Sequence, residues 1–256
     1  MYQQPNAPQS IGGVLDSGFT LYRESLSQAY LLAAIAALVT APVNLLQPYF
    51  ARTGVAGLAG VSGLIVVAVA LAAVVLYAAL IARIDAVARG ASLSLRAALS
   101  VGLQRMAAMV LAGLAGAVLV IVGLFLLVIP GLIFMIWFVF APFAVVVERR
   151  RPLESLSYSH AIVRGNWWRT AALLTIIGIV LMVVYLLFTV GISIAVISDP
   201  AAASAGEVPW YVSLVVAPAL SAVIGPLWYA LMLAIFYDLR LRHEGGDLAA
   251  RIAATA

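Results

Sequence analysis

The feature that most constrains this chain is residues 107–147, a run of 41 residues without a charged side chain. A single straight helix of that length would measure about 60 Å, roughly twice the hydrocarbon thickness of a bilayer. Pro130 and Gly131 interrupt the run and favour a turn there. The run therefore predicts a hairpin of two membrane-spanning helices, Ala107–Ile129 and Gly131–Val147.

The composition of the whole chain agrees with a membrane protein. Hydrophobic residues make up 65% and charged residues 9% of 256, whereas soluble domains carry about 25% charged residues. The mean hydropathy is +1.14. Without cysteine, the chain can form neither disulfides nor a thiol-based site. We predict six spans, listed in chain order: Ala29–Leu46, Val55–Ala82, Ala107–Ile129, Gly131–Val147, Thr170–Ile197 and Trp210–Phe236.

The distribution of arginine predicts the orientation of these spans. All 14 cations are arginine, and 13 of them flank the spans on one side, which leaves only Arg52 opposite. The opposite loops carry Asp199 and Glu207. By the positive-inside rule, both termini should be cytoplasmic. Because the arginines lie beside apolar spans, anionic membrane lipids are favoured as partners over nucleic acid.

The cytoplasmic segments show helical periodicity of their own. Apolar residues recur at helical spacing within 10–28, 94–106 and 152–164, and Pro152 and Gly165 favour the start and the end of the third helix. The predicted apolar side of the third helix consists of Leu153, Leu156, His160 and Val163. The predicted fold is an all-α membrane protein of six transmembrane helices, arranged as three hairpins with cytoplasmic amphipathic interfacial helices. Three hairpins could be a weak repeat or simply the consequence of six spans. The expected organisation is an N-terminal segment (1–28), a membrane domain (29–238) and a C-terminal tail (239–256).

The predicted spans contain few polar side chains that could bind a ligand or catalyse a reaction. No Asp, Glu, Lys, Arg or His lies deep in any of them, which argues against proton-coupled transport and against an intramembrane catalytic or metal site. The deepest polar stripe is formed by Thr40, Asn44 and Gln47. Such residues serve as hydrogen-bonding contacts between helices or, less commonly, meet a polar ligand.

Charged side chains crowd the cytoplasmic edge instead. Glu148, Asp238 and Glu244 are candidates for ion pairs that lock the last helix onto the bundle. Candidate contacts for lipid phosphate are the neighbouring guanidinium groups. They belong to Arg149, Arg150, Arg151, Arg164, Arg169, Arg240 and Arg242.

Enzyme signatures are missing from the sequence. It contains no phosphate-binding loop ending in lysine, no G-x-S-x-G and no H-E-x-x-H. We therefore expect no catalytic residues, no metal and no cofactor. A membrane-embedded lipid enzyme would require its acidic and histidine side chains to converge on one pocket. The candidates are Glu148, Glu154, His160, Asp238 and Glu244.

Five stretches resemble a bacterial family named after the membrane domain of glycerophosphoryl diester phosphodiesterases. They are DSGFTLYR (16–23), IPGL (129–132), PFAVVVERRRP (142–152), SHAIVRGNWW (159–168) and YDLRLRHEGGDL (237–248). The resemblance implies an all-helical protein of the bacterial inner membrane. It does not imply phosphodiesterase activity, which in that family belongs to a soluble barrel with acidic metal ligands. Only 19 residues follow Tyr237 here.

The function expected from these observations is non-enzymatic. The protein should organise lipids or recruit partners at the envelope, with a homo-oligomer or an unidentified protein as possible partners. The alternative is a transporter or flippase for a lipid or another amphiphile, and a continuous polar cavity between the spans would support it. A membrane-embedded lipid enzyme is the third functional hypothesis.

Overall fold

The structure, a computed structural model, describes residues 2–53, 59–197 and 212–255. Side chains are described within 2–41, 63–194, 212 and 215–245. In these ranges the chain forms eight α-helices, and a π-helical turn at Val212–Val216 precedes the last one. They are α1 (Ile11–Thr53), α2 (Ala59–Ala88), α3 (Leu95–Leu126), α4 (Val128–Phe138), α5 (Ala141–Val146), α6 (Pro152–Arg164), α7 (Trp167–Ile197) and α8 (Ala217–Thr255).

The prediction of an all-helical chain with six membrane-length segments is confirmed. Six helical segments of 19 to 32 residues are long and apolar enough to cross a bilayer. Helices α4 and α5 together make up the shortest of them, Val128–Val146. The described part of the chain contains no strand.

The first and the last helix form the centre of the bundle. Helix α1 packs most extensively against α8, and α2, α3 and α4 follow by successive packing of neighbours. Fully buried side chains at this centre include Leu21 and Leu32 of α1, Leu80 of α2, and Leu231 and Phe236 of α8. Helix α7 contacts α8 far less than α1 does. The main partner of α8 is therefore α1, from the other end of the chain.

Two of the predicted amphipathic helices are not separate elements. Helix α1 runs from Ile11 to Thr53 without interruption, and α3 runs from Leu95 to Leu126. Residues 10–28 and 94–106 are thus largely the first turns of long helices. No proline or cap interrupts either junction, and extending a formed helix is easier than nucleating a new one.

The turn between the third and fourth spans lies three residues before Pro130, at Leu127. Leu127 has extended backbone (φ −167°, ψ 151°) and separates α3 from α4. Pro130 falls in the first turn of α4, where its missing N–H costs no helical hydrogen bond. Gly131 lies against α3, and a Cβ there would come within 2.8 Å of Leu124 N. This glycine therefore permits close packing of α4 against α3 instead of separating the two helices.

A second interruption separates α4 from α5 within the fourth segment. Pro142 occupies the first turn of α5, and the helix breaks just before it. The Ser159 hydroxyl of α6 donates to Trp137 O (2.6 Å) and accepts from Phe140 N–H (3.2 Å). These two bonds satisfy backbone groups that the break leaves without helical partners.

Helix α6 begins at Pro152 and ends before Gly165, as predicted, but its buried face differs from the predicted one. The prediction placed Leu153 and His160 on the apolar side, whereas Leu153 is exposed. The buried side chains are Ser155, Leu156, Ser159, Ile162 and Val163. Helix α6 packs against α3, α4, α5 and α8. Its buried face therefore contacts other helices of the protein.

Candidate functional site

The centre of the charged end of the bundle is Asp238, near the middle of α8. Its carboxylate is completely buried, and Oδ2 accepts hydrogen bonds from Arg169 of α7 (Nη2, 3.0 Å) and Arg242 (Nε, 2.9 Å). Arg242 is one helical turn further along α8, where i and i+4 side chains meet. Two guanidinium groups thus share one carboxylate.

The extended N-terminal segment completes this cluster through the backbone of Gln9. The N–H of Gln9 donates to Asp238 Oδ1 at 2.7 Å, and its carbonyl accepts from Arg169 Nη2 and Arg242 Nη2, each at 2.6 Å. One peptide segment therefore meets the carboxylate with its donor and both arginines with its acceptor. This complementarity holds the N-terminal segment against α7 and α8.

A second ion pair lies at the end of α2, and a hydrogen bond from α8 reaches it. Arg89 approaches both carboxylate oxygens of Asp85, and the Tyr237 hydroxyl donates to Asp85 Oδ1. Asp85 is buried. The three side chains satisfy one another, so this contact fixes the end of α2 against α8.

A third charged group connects α8 with the segment between α5 and α6. Arg240 Nη1 donates to Glu148 Oε1 at 2.8 Å, and its Nε lies 3.3 Å from Glu244 Oε1. Nearby, the Arg150 guanidinium stacks over the ring of Tyr158 at 3.8 Å. Burial raises the pKa of Tyr158, an effect to which Glu148 adds.

Together these contacts make residues 237–242 of α8 a hub, which we call the α8 clamp. Tyr237 reaches α2, Asp238 reaches α7 and the N-terminal segment, and Arg240 reaches the segment before α6. The predicted ion-pair residues Glu148, Asp238 and Glu244 all have arginine partners here. Elements distant in sequence are held at one end of the bundle by a six-residue segment.

The seven candidate phosphate contacts differ in their partners. Arg169, Arg240 and Arg242 have carboxylate partners. Arg151 precedes α6, and its N–H donates to Glu154 Oε2 at 3.4 Å. Arg164 and Arg149 have no carboxylate partner among the described residues, and each lines a cavity.

The cavity that contains Arg164 is a groove of about 740 Å³ between α4 and the turn from α6 to α7. Its apolar side consists of Ile129, Leu132, Ile133 and Trp137, and its polar side consists of residues 164–169. The indole N–H of Trp167 is buried and has no hydrogen-bond partner among the described residues. Trp168, in edge-to-face contact with Trp167, is 80% exposed. We call this cavity the Trp–Arg groove.

The predicted polar stripe is only partly described. Thr40 donates to the carbonyls of Ala36 and Ala37 in its own helix, while the side chains of Asn44 and Gln47 lie outside the described set. Thr40 lines a cleft of about 430 Å³ between α1, α2, α7 and α8. The cleft also contains the hydroxyl-bearing residues Tyr77, Tyr185, Ser221 and Tyr229.

The five candidate acid and base residues are distributed over different contacts. Glu148 and Glu244 approach Arg240, whereas Asp238 faces Arg169 and Arg242. Within the described residues no group of three or more His, Asp or Glu could hold a metal ion. The remaining two candidates lie on α6, where Glu154 faces the backbone of Arg151 and His160 packs edge-on against Trp137.

Several residues of the charged end were not anticipated from the sequence. Gln9 acts through its backbone, which no side-chain pattern reveals. Tyr237 was visible only as the neighbour of Asp238. The Asp85 and Arg89 pair could have been identified, since an acid four residues before a base is a common ion-pair spacing on helices.

Residues 67–239 match a family described as a domain of unknown function, DUF7847. No curated protein and no solved structure matches the chain. The family match covers α3 to α7 in full and most of α2, and it ends inside the α8 clamp, at Leu239. The chain therefore belongs to the DUF7847 family.

Proposed function

We propose that this member of the DUF7847 family is a non-enzymatic protein of the bacterial inner membrane that binds anionic phospholipid in the Trp–Arg groove. In this role it organises lipids or presents a bound lipid to partners, and both of its termini face the cytoplasm. We also propose that the chain is related to the membrane domain of glycerophosphoryl diester phosphodiesterases.

The observation that carries the proposal is the chemical division of the groove. Its α4 side offers only apolar and aromatic surface, which suits an acyl chain. Its other side offers the unpaired guanidinium of Arg164, whose planar donors suit a phosphate. The free indole N–H of Trp167 adds a donor, and paired tryptophans are typical of the bilayer interface.

The orientation is supported by the charged end of the bundle. Ion pairs and hydrogen bonds there bring together arginines from α2, α7 and α8. Arg105 of α3 joins them through its hydrogen bond to Arg149 O. Charged groups gathered at one end are expected to lie on one side of the membrane, and arginine excess favours the cytoplasmic side.

Lipid analysis of the purified protein tests the proposal. Arg164→Gln combined with Trp168→Ala removes the free guanidinium and the exposed indole without changing the α8 clamp. We expect co-purified phosphatidylglycerol and cardiolipin to fall several-fold relative to phosphatidylethanolamine. Arg96→Gln is the matched control, because Arg96 is exposed on the first turn of α3 and lines neither the Trp–Arg groove nor the cleft. Unchanged anionic lipid in the double variant would refute binding in the groove.

A second candidate function, transport or flipping of an amphiphile, is favoured by the cleft between α1, α2, α7 and α8. It lies among four spans and combines hydroxyl groups with apolar walls. Leu181→Trp should fill it and abolish the flipping of a fluorescent phospholipid in proteoliposomes. Leu187→Trp, on the exposed face of the same helix, should leave flipping unchanged. Equal rates for the two variants, or no flipping by the wild type, would exclude this candidate.

A further inference from the structure

We propose a second site, selective for a phosphate monoester group, in a cavity of about 270 Å³ between α2, α3 and the segment after α5. Its position differs from that of the Trp–Arg groove, and it shares no lining residue with that groove. The inference therefore goes beyond the proposed function and does not depend on it. Three guanidinium groups, one carboxylate and one amide line the cavity. They belong to Arg89, Arg105, Arg149, Asp85 and Gln104.

The cavity carries an excess of positive charge. Asp85 is the only carboxylate among the described residues that line it, and both oxygens of that carboxylate are engaged by Arg89. Oδ1 of Asp85 also accepts from Tyr237. Arg105 and Arg149 have no carboxylate partner in the described ranges. Two guanidinium charges therefore remain for an anion, and the amide of Gln104 supplies a further donor.

The backbone of Arg149 provides an independent reason to expect a ligand. Arg149 is the only non-glycine residue with positive φ (54°) among the described residues. The hydrogen bond from Arg150 N–H to Ala144 O (3.2 Å) closes the chain back onto the end of α5 directly after Arg149, and the left-handed backbone of Arg149 is a conformation that favours glycine. An arginine in this place is strained, and such strain is concentrated at ligand sites.

The second cationic residue is held in place by the first. Arg105 Nη1 donates to the carbonyl of Arg149 at 3.4 Å, and Arg105 is half-buried. The left-handed backbone at Arg149 therefore has two effects. The carbonyl of Arg149 faces α3, and the side chain of Arg149 lies at the cavity. Both unpaired guanidinium groups are positioned by one backbone feature.

Size and chemistry select the occupant. Pockets for drug-sized ligands measure about 300–1,000 Å³, so this cavity suits a small group. Guanidinium forks bind phosphate oxygens through paired, charge-assisted hydrogen bonds. The cavity lies at the ends of α2 and α5, beside the predicted bilayer surface. A phosphate monoester could thus come from the head group of phosphatidic acid or from a soluble phosphate ester.

The test measures ligand-induced stabilisation of the full chain. Thermal unfolding is followed in detergent with inorganic phosphate or glycerol 3-phosphate, at ionic strength matched with chloride. A second arm uses nanodiscs of phosphatidylcholine with and without phosphatidic acid. We expect at least one phosphate probe to raise the unfolding temperature of the wild type. A response to soluble phosphates identifies a soluble ligand, and a response to phosphatidic acid alone identifies a lipid head group.

Two variants and a control locate the response. Arg149→Gly removes a guanidinium and relieves the left-handed strain, so the ligand-free protein should be at least as stable as the wild type. Arg105→Gln removes the second unpaired guanidinium. Each should weaken phosphate binding about tenfold or more, as expected for a charged hydrogen bond. Arg96→Gln, outside the cavity, should respond like the wild type.

The outcomes separate this site from the Trp–Arg groove. No stabilisation by any phosphate probe would overturn the inference. It would also be overturned if Arg149→Gly and Arg105→Gln kept the full response. A response lost only in Arg164→Gln would assign phosphate binding to the Trp–Arg groove and exclude the cavity. A response lost only in Arg149→Gly and Arg105→Gln would support the cavity site and would say nothing about the groove.

Discussion

Asp238 and Arg169 are 69 residues apart in the chain, yet Oδ2 and Nη2 lie 3.0 Å apart and the carboxylate is fully buried. A buried charge is tolerated when ion pairs and hydrogen bonds replace its lost hydration. Asp238 has both, since Arg242 and the backbone of Gln9 complete its partners. We therefore regard this cluster as the contact that fixes the charged end of the bundle.

Asp238→Asn should destabilise the fold strongly. The substitution keeps the shape but leaves two guanidinium groups facing a neutral amide, and breaking a buried pair typically costs about 3–5 kcal/mol. Thermal unfolding in detergent should show the loss. Asp16→Asn, at an exposed position of α1, should unfold like the wild type. An unchanged unfolding temperature for Asp238→Asn would contradict the role assigned to the cluster.

Gln9→Pro should release the N-terminal segment. Proline lacks the N–H that Gln9 donates to Asp238 at 2.7 Å, and a hydrogen bond to a charged group contributes about 1.5–3 kcal/mol. Limited proteolysis should then cleave within the first ten residues much faster. Gln9→Ala keeps the backbone donor and loses only the hydrogen bond that Ser17 donates to its side chain (3.0 Å), so it should be cleaved much more slowly than Gln9→Pro. Equal cleavage of the two variants would show that the backbone contact does not hold the segment.

Ser159→Ala should destabilise the junction of α4 and α5. It removes the hydroxyl that bonds Trp137 O and Phe140 N–H, and each buried backbone group left unpaired costs about 1–3 kcal/mol. Ser157→Ala is the control on the same helix, because the exposed Ser157 bonds only carbonyls of α6. Its effect on unfolding should stay within about 0.5 kcal/mol. Equal stability of the two variants would argue against a structural role for Ser159.

Gly102→Ala should separate α2 from α3. A Cβ at Gly102 would overlap the carbonyl oxygen of Val75, and a backbone atom cannot yield as a side chain can. We expect a loss of about 1–3 kcal/mol, as for other overpacked positions. Gly113→Ala on the same helix meets nothing within 4 Å and should gain up to about 1 kcal/mol from helix propensity. The two unfolding temperatures should move in opposite directions.

Tyr2→Phe should remove one pH-dependent contribution to stability. Burial raises the pKa of Tyr2 from 10.0 to about 12. Between these values the unfolded chain loses the phenolic proton while the folded chain keeps it, so stability falls as the pH rises. Near neutral pH the variant should be no less stable, because the Tyr2 hydroxyl is buried without a partner among the described residues. Identical pH profiles of variant and wild type above pH 10 would contradict the assignment.

Local signals predicted some element boundaries and missed others. Pro152 and Gly165 mark the bounds of α6 because their backbone preferences act within one turn. Pro130 and Gly131 predicted an interruption in the long apolar run, but the break lies at Leu127. Proline is compatible with the first helical turn as well as with a loop, and close packing against α3 decided between them at Gly131.

The contacts of the candidate site were likewise predicted only in part. The sequence indicated that Glu148 and Asp238 require arginine partners, because both occur among guanidinium groups at the end of apolar spans. It did not indicate that Asp238 would pair with Arg169 while Glu148 would pair with Arg240. Nor could it reveal the peptide unit of Gln9 as a ligand, since every residue carries the same backbone groups.

The sequence alone determined that this chain is helical and forms six segments long and apolar enough to cross a membrane. These properties follow from the cost of placing each residue in hydrocarbon, which is a sum over local segments. Only the tertiary structure decided that α1 packs on α8, that the α8 clamp joins distant elements, and that Arg105 and Arg149 meet at one cavity. Such pairings depend on which surfaces fit together, and shape complementarity between distant helices leaves no local pattern in the chain.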